Sequence, residues 1–506
     1  MPSYLSPGVY VEEVQSGARP IEGVGTAVAA FVGFAPQGPF HEPTLVTNWN
    51  QYVQNFGGFD DGYLAHAVYG YFANGGGSAY VVRIGGPSEA AAPARPAAGP
   101  VELGGLQISA LGAATADVTV EVADAEGENP PEDRFRLLVH QGGKVVETFD
   151  VSTRKNVKTF VVTQVRERSK LIEVTEQSGG TLARPDNQTV TVPATPPSAT
   201  TPAKVDAREY VGDLAARTGF GGLETVDEIT MVAVPDLMSA HQRGLIDAEG
   251  VKTVQLAAIS HCEQLGDRVA LLDAPPGLNA QQVRTWRMDE AGYDSNYATL
   301  YYPWIKVFDP ASGRNKMVPP SGHVAGVWAR SDTERGVHKA PANEVIRGAV
   351  DLETTLSKGE QDLLNPIGVN CVRAFAGRGI RIWGARTLSS DPAWRYLNVR
   401  RLFNYLEESI LLGTQWVVFE PNDDRLWSSI RRNIGAFLTQ TWRDGALFGR
   451  TPAEAFYVKC DRDNNPQESI DLGQVVCEIG VAPVKPAEFV IFRLSQYSDS
   501  SSLLSE

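Results

Sequence analysis

Between residues 381 and 495 the apolar positions recur regularly enough for the elements to be read directly from their spacing. Val399, Leu402, Phe403, Leu406 and Ile410 repeat every three or four residues, while Arg400, Arg401, Asn404, Glu407 and Glu408 fill the other face, which predicts one amphipathic helix. A second is expected after Pro421, capped by Asn422 or Asp423, with Leu426, Ile430, Ile434, Phe437 and Leu438 on one side until Gly445 stops it. Thr451, Pro452 and Glu454 spell a capping box with proline at the first helical position, so a short helix is expected there. The pattern then turns strand-like at 456–459, 474–481 and 488–494, separated by Asn- and Pro-containing turns. Two long helices on a small sheet, an α+β domain, is the predicted result.

The remainder reads as α/β text interrupted once. An apolar run ends at Phe34, helices are expected over 48–56 and 61–72, and a strand over 79–84. After the interruption, strands are expected over 228–234, 269–272 and 297–308, with helices over 251–262 and 280–288. A Gly- and Pro-rich linking section follows, with a helix at 352–358 and a strand at 380–383 that leads into the C-terminal domain. Between 87 and 206, Ala- and Pro-rich linkers bracket strand-like runs at 117–122, 135–139, 159–165 and 189–192. The predicted fold class is therefore α/β and α+β multidomain. A split α/β domain (21–86 with 207–375) carries an inserted mostly-β module (87–206), followed by the C-terminal domain (376–485). Extended arms (1–20 and 486–506) complete the chain.

Both arms contain strand-forming residues with no adjacent hairpin partner: Val9, Tyr10 and Val11 near one end, Phe489, Val490, Ile491 and Phe492 near the other. Such strands either pair within their own chain or complete a neighbour's sheet, where main-chain hydrogen bonds give affinity and alternate side chains give register.

At 506 residues the chain is long enough for several cores. Its 45 Lys and Arg against 60 Asp and Glu leave a net charge of −15, which argues against a general nucleic-acid binder. No segment approaches the roughly 18 uninterrupted apolar residues of a membrane helix, and the amino terminus lacks the basic and apolar regions of a secretory signal, which points to folding in a cytoplasm. Cys262, Cys371, Cys460 and Cys477 are widely spaced and form no C-x-x-C pair, so they read as buried reduced thiols.

Chemistry-bearing patterns are weak. Gly75-Gly76-Gly77 and Gly219 with Gly221-Gly222 lack the phosphate-loop pattern and read as turns. Asp461 to Asn465 imitates the start of a calcium loop, but Pro466 stands where that loop needs glycine and Leu472 where it needs a bidentate glutamate. Asp236, Asp273 and Asp309 each follow an apolar strand and, with His261 or His323, are the one constellation an α/β enzyme would use. No nucleophile elbow, H-E-x-x-H pair or activated cysteine accompanies them, and Asp beside Pro or Ala at a strand end is most often a turn former. No cofactor and no metal is implied.

Several stretches resemble contractile tail sheath proteins of phage tails and related injection machines. They are Asn398-Val399-Arg400-Arg401-Leu402-Phe403, Glu407-Glu408-Ser409-Ile410 and Phe448-Gly449-Arg450-Thr451-Pro452 in the C-terminal domain, and upstream Pro319-Pro320-Ser321-Gly322-His323-Val324-Ala325-Gly326, Lys339-Ala340-Pro341-Ala342-Asn343, the run from Gly377 to Arg386, and Tyr4-Leu5-Ser6-Pro7-Gly8-Val9-Tyr10. The resemblance implies a non-enzymatic structural subunit that stacks with its own copies as a helical homopolymer of hexameric rings around an inner tube protein. It implies baseplate and tail-terminator or cap proteins as further partners, with no nucleic acid and no membrane insertion, and assembly in a bacterial cytoplasm into a phage tail or tail-like particle. It also implies that the two terminal strands exchange between neighbours. From residue 381 to 450 ten arginines face seven acids and no lysine, a local balance of +3 in a chain of −15. Beside the ordinary reading of a solvated helix face, Arg400, Arg401, Arg431 and Arg432 are expected to meet acidic groups on the tube. Other readings of the chain are a cytoplasmic α/β enzyme and a baseplate or terminator subunit of the same machine.

Overall fold

A computed structural model describes residues 20–85, 101–110, 118–125, 131, 133–141, 144–155, 157–169, 171–176, 182–192 and 205–493. The chain divides into two compact units, Met1–Ile84 with Val205–Glu506, and Gly85–Lys204.

The larger unit begins with β1 (Val28–Gly33), β2 (Thr44–Val46) and β3 (Ser78–Arg83). Inside the smaller unit β4 (Val101–Leu103), β5 (Leu106–Ala110) and β9 (Ile172–Glu176) form one sheet, while β6 (Val118–Asp124), β7 (Arg134–Gln141), β8 (Lys144–Ser152) and β10 (Thr189–Val192) form another. Strict alternation along β6 puts Val118, Val120 and Val122 into a core shared with Phe135, Leu137, Val139, Ile172 and Val174. One run expected as a strand is a helix, Val161–Arg168. Val161 and Val165, four residues apart, both reach that core, and their burial on one helical face outweighs the strand preference of the β-branched run.

The larger unit resumes with β11 (Met231–Ala233), β12 (Val269–Asp273), β13 (Ala298–Tyr302), β14 (Ile305–Asp309), β15 (Arg314–Val318), β16 (Ala349–Leu352), β17 (Val369–Phe375) and β18 (Gly379–Ile382). Its eight-stranded sheet runs β18-β17-β13-β12-β11-β1-β3-β2. Neighbours from β3 to β17 are parallel, and the antiparallel β2 and β18 close the two edges. The inner strands are mostly apolar, as expected of a sheet covered on both faces. Two expectations are corrected here. The strand at 380–383 belongs to this sheet rather than opening the C-terminal domain. The long aromatic strand over 297–308 is two strands, because Pro303 has no amide for the ladder, and β14 leaves to pair with β15 and β16.

The linking section hides a central element, the helix Ser321–Arg335, buried on all sides from Ser321 to Ser331. A helix buried all round has no amphipathic stripe to announce it. It crosses the helix Leu64–Asn74 at glycines: a Cβ on Gly322 would lie 2.3 Å from the Ala67 Cα, and one on Gly326 2.4 Å from the Tyr71 carbonyl oxygen. The helix expected over 352–358 lies later, at Lys358–Leu364, opened by a capping box between Ser357 and Glu360, while Leu352 ends β16.

The C-terminal part holds the helices Leu397–Thr414 and Asp424–Arg443 beside a two-stranded sheet of β19 (Phe456–Lys459) and β20 (Glu478–Val481). Asp423 caps the second helix by accepting the amides of Arg425 and Leu426. Leu402, Leu406, Leu426, Ile430, Ile434, Phe437 and Leu438 share one core. The capping box at Thr451 is absent: its side chain caps nothing, and Glu454 instead accepts the Arg450 amide at 2.8 Å.

Candidate assembly surface

The described C-terminal segment is fastened up to Glu488, and residues 489–493 beyond it carry no regular structure. Phe448 donates its amide to the Ala482 carbonyl, and Val484 donates to Ala446, which fixes the segment after β20 against the loop that follows the second long helix. Glu488 then accepts from Arg386 Nε at 2.9 Å, Arg386 Nη2 at 2.6 Å and Asn365 Nδ2 at 2.9 Å, with the Tyr396 hydroxyl at 3.4 Å. Burial pushes the Glu488 carboxyl up, but these donors together outweigh it and hold the group below its usual range.

Phe489, Val490, Ile491 and Phe492 follow at once, with exposures of 72, 68, 78 and 84%. The strand expected at 488–494 is not formed within this chain; residues 484–493 carry no regular structure. Four consecutive large apolar side chains in water are unfavourable by about 1.5–3 kcal/mol each relative to burial. A β-forming run with its main-chain groups unladdered is the geometry that a foreign sheet edge accepts. Val9, Tyr10 and Val11 lie outside the described residues.

Of the four arginines expected on exposed helix faces, two are buried. Arg400 is 3% exposed, lies over the rings of Trp394 and Tyr297, and bonds Asn404 at 2.6 Å and Glu407 at 3.3 Å. Arg401 is 4% exposed, pairs with Asp332 through both nitrogens at 2.9 and 2.5 Å, and donates to the Thr26 carbonyl. Helical spacing sorted them with the polar residues, but this end of the helix is enclosed by the α/β unit, and buried cations require such partners. On the second helix, Arg431 is half-buried and donates to the Cys460 carbonyl and to Ser428 Oγ, whereas Arg432 is exposed.

The aspartates an enzyme would use are each engaged in holding the fold. Asp236 accepts the amides of Phe34, Tyr63 and Leu64; burial and the neighbouring Asp60 carboxylate push its carboxyl up. Asp273, pushed up to about 7 by burial, receives the amide and hydroxyl of Ser321 at 3.0 and 2.6 Å and so holds the start of the central helix. Asp309 closes the turn after β14 through Ala311 and Ser312. His261 and His323, both buried, are held neutral, with burial lowering each to about 4. Gly75 has positive φ where the helix Leu64–Asn74 ends, as its sequence context suggests; Gly219 also has positive φ but opens a short helix, Gly219–Leu223, which contains Gly221 and Gly222, so the turn expected there is corrected. Asn464 and Asn465 spend their side chains on the turn at 461–465, and among the described residues no cluster of His, Cys, Asp or Glu could hold a metal ion. No helix among them is long and apolar enough to cross a membrane.

Comparison with known proteins follows the same outline. The family model for the phage tail sheath protein central domain matches residues 203–388, and that for the phage tail sheath C-terminal domain matches residues 389–496. The tail sheath protein of Burkholderia phage BcepMu is 24% identical over 96% of this chain and 95% of its own length. The tail sheath protein of Vibrio phage KVP40 is 29% identical over 47% of this chain, and the match spans 38% of that relative. Among solved structures, the helical sheath of the anti-feeding prophage in its contracted state superposes with a TM-score of 0.60 at 25% identity, covering 98% of this chain and 100% of that one.

Proposed function

The chain belongs to the phage tail sheath family, and from that premise we propose that it polymerises around an inner tube and contracts from a metastable extended arrangement, driving the tube through a target envelope. It is a structural subunit of a contractile sheath, and its mechanism is mechanical. Subunits assemble in a kinetically trapped arrangement and a baseplate trigger releases them into a shorter, wider one that buries more surface between copies.

Duties divide along the chain. Terminal arms link neighbouring copies, the C-terminal domain faces the tube through Arg432 and the free part of Arg431, and the split α/β domain forms the wall whose contacts change. The unit 85–204 decorates the exterior. Partners are further copies in hexameric rings, an inner tube protein, a baseplate and a terminator or cap, and assembly takes place in a bacterial cytoplasm.

The observation that carries this reading is the run of four exposed apolar residues immediately beyond a fastened Glu488. Negative-stain imaging tests it. The full chain should form striated tubes or sheath-like polymers, and a chain ending at Glu488 should stay folded but form no long polymer. Polymers of unchanged length from the shortened chain would overturn the tether role, and discrete oligomers from both would favour a baseplate or terminator role.

A further inference from the structure

Two of the four cysteines face each other across the small C-terminal sheet. The register pairs Phe456 with Val481, Tyr457 with Gly480, Val458 with Ile479 and Lys459 with Glu478; one further step along both strands sets Cys460 opposite Cys477. Ala482 donates its amide to the Ala455 carbonyl at 2.8 Å, which makes Ala455 and Ala482 a hydrogen-bonded pair. Alternation along an antiparallel ladder then makes Cys460 and Cys477 a non-hydrogen-bonded pair. Cα atoms in such pairs lie about 4.5 Å apart, within the roughly 4.4–6.8 Å that a disulfide spans. Each thiol lies close enough to the other to influence its ionisation.

This register is held from both sides. Asn465, 1% exposed, accepts the Val476 amide at 2.6 Å and donates to the Val476 carbonyl at 2.9 Å, directly before Cys477. Arg431 donates to the Cys460 carbonyl. A slip of one residue, which would turn Cys477 to the other face, would break the Asn465 bonds.

We propose that Cys460 and Cys477 form an intramolecular disulfide that staples β19 to β20, with a low-molecular-weight disulfide as the electron acceptor. Cys477, the more accessible thiol, gives up its proton and attacks one sulfur of the small disulfide, expelling a thiolate. Cys460, deprotonated in turn, attacks Cys477 Sγ and expels the second thiolate. The small disulfide gains two electrons and, with the two protons released, becomes two thiols. Burial pushes both cysteines up, Cys477 to about 12, so closure is slow at neutral pH and accelerates as the pH rises. The pair is open in a reducing cytoplasm and closes in an oxidising medium. Closure ties off residues 461–476, with their polar turn and the helix Gln467–Asp471. Cys262 and Cys371 are buried in the α/β core, away from this sheet.

The test uses the full chain incubated with oxidised glutathione at mildly alkaline pH, then denatured, alkylated and mapped by peptide mass spectrometry. The expected result is a peptide pair joined through Cys460 and Cys477 with no glutathione left on either, and a denaturant midpoint that rises on oxidation and returns on adding dithiothreitol. Cys477→Ser should leave Cys460 alkylated and abolish that shift. Both thiols still alkylated after prolonged oxidation, a glutathione adduct on Cys477 that never resolves, or a bond found only between different chains would overturn the proposal.

Discussion

Arg386 grips Glu488 with two nitrogens of its guanidinium, at 2.9 and 2.6 Å, although 102 residues separate them in the chain. Arg386 also donates to the Asn365 carbonyl at 3.1 Å, so one side chain ties the root of the free C-terminal run to the α/β unit. Arg386→Met should lower stability by about 1.5–3 kcal/mol, the usual loss for hydrogen bonds to a charged group, and should expose the fastened segment 484–488 to protease. Denaturant midpoints and limited proteolysis read the two effects.

Because Glu488 is held below its ordinary value of 4.5, this fastening contributes fully above that value and is lost as the pH falls through the lower folded value. Protease cleavage within residues 484–488 should therefore appear on acidification below the ordinary glutamate range, and Glu488→Gln should remove that pH dependence. A pH-independent cleavage pattern in the unsubstituted chain would contradict the fastening.

Arg401 and Asp332, each 4% exposed at the side chain, join the helix Leu397–Thr414 to the central helix Ser321–Arg335. Thr26 closes the junction: its hydroxyl donates to Asp332 at 2.7 Å and its carbonyl accepts from Arg401 at 2.9 Å. Asp332→Ala leaves a buried guanidinium unpaired and should cost about 3–5 kcal/mol, whereas replacing both partners with apolar residues of similar volume should cost much less. A double-mutant cycle by chemical denaturation measures the difference.

Arg432 and Arg431 separate tube contact from stability. Arg432 is exposed, so Arg432→Glu should leave the unfolding midpoint within about 0.5 kcal/mol of the original and weaken co-sedimentation with tube protein, more at low salt than at high. Arg431→Glu also removes the bond to the Cys460 carbonyl and should lower both. Undiminished co-sedimentation of the Arg432 variant at moderate salt would remove the tube-contact role.

The unit 85–204 has a core of its own, built from Val120, Phe135, Leu137, Ile172 and neighbours, with none of its members in the α/β core. Replacing residues 86–204 with a short Gly/Ser linker should leave the α/β unit folded and assembly intact, read by circular dichroism and negative-stain imaging.

Much of this fold is legible in the residues alone. The second long helix shows every apolar residue its spacing named on the buried side, because it lies on a single core and its other face is wet. The same rule failed on the first long helix, where Arg400 and Arg401 sit between layers: periodicity ranks side chains by type, and a guanidinium over Trp394 or paired with Asp332 counts as polar wherever it lies. The central helix escaped for the opposite reason. His323, Arg330 and Ser331 are buried among glycines and valines with no polar face to set a period.

Local order, the alternation of helix and strand and the one interruption were carried by residue chemistry alone, since spacing and turn residues act over a few positions. Long-range pairing needed the folded chain: Glu488 on Arg386, Asp273 on Ser321, Cys460 across from Cys477, and β18 joined to the large sheet. Those contacts depend on which surfaces meet after the layers pack, and no short window of sequence contains both partners.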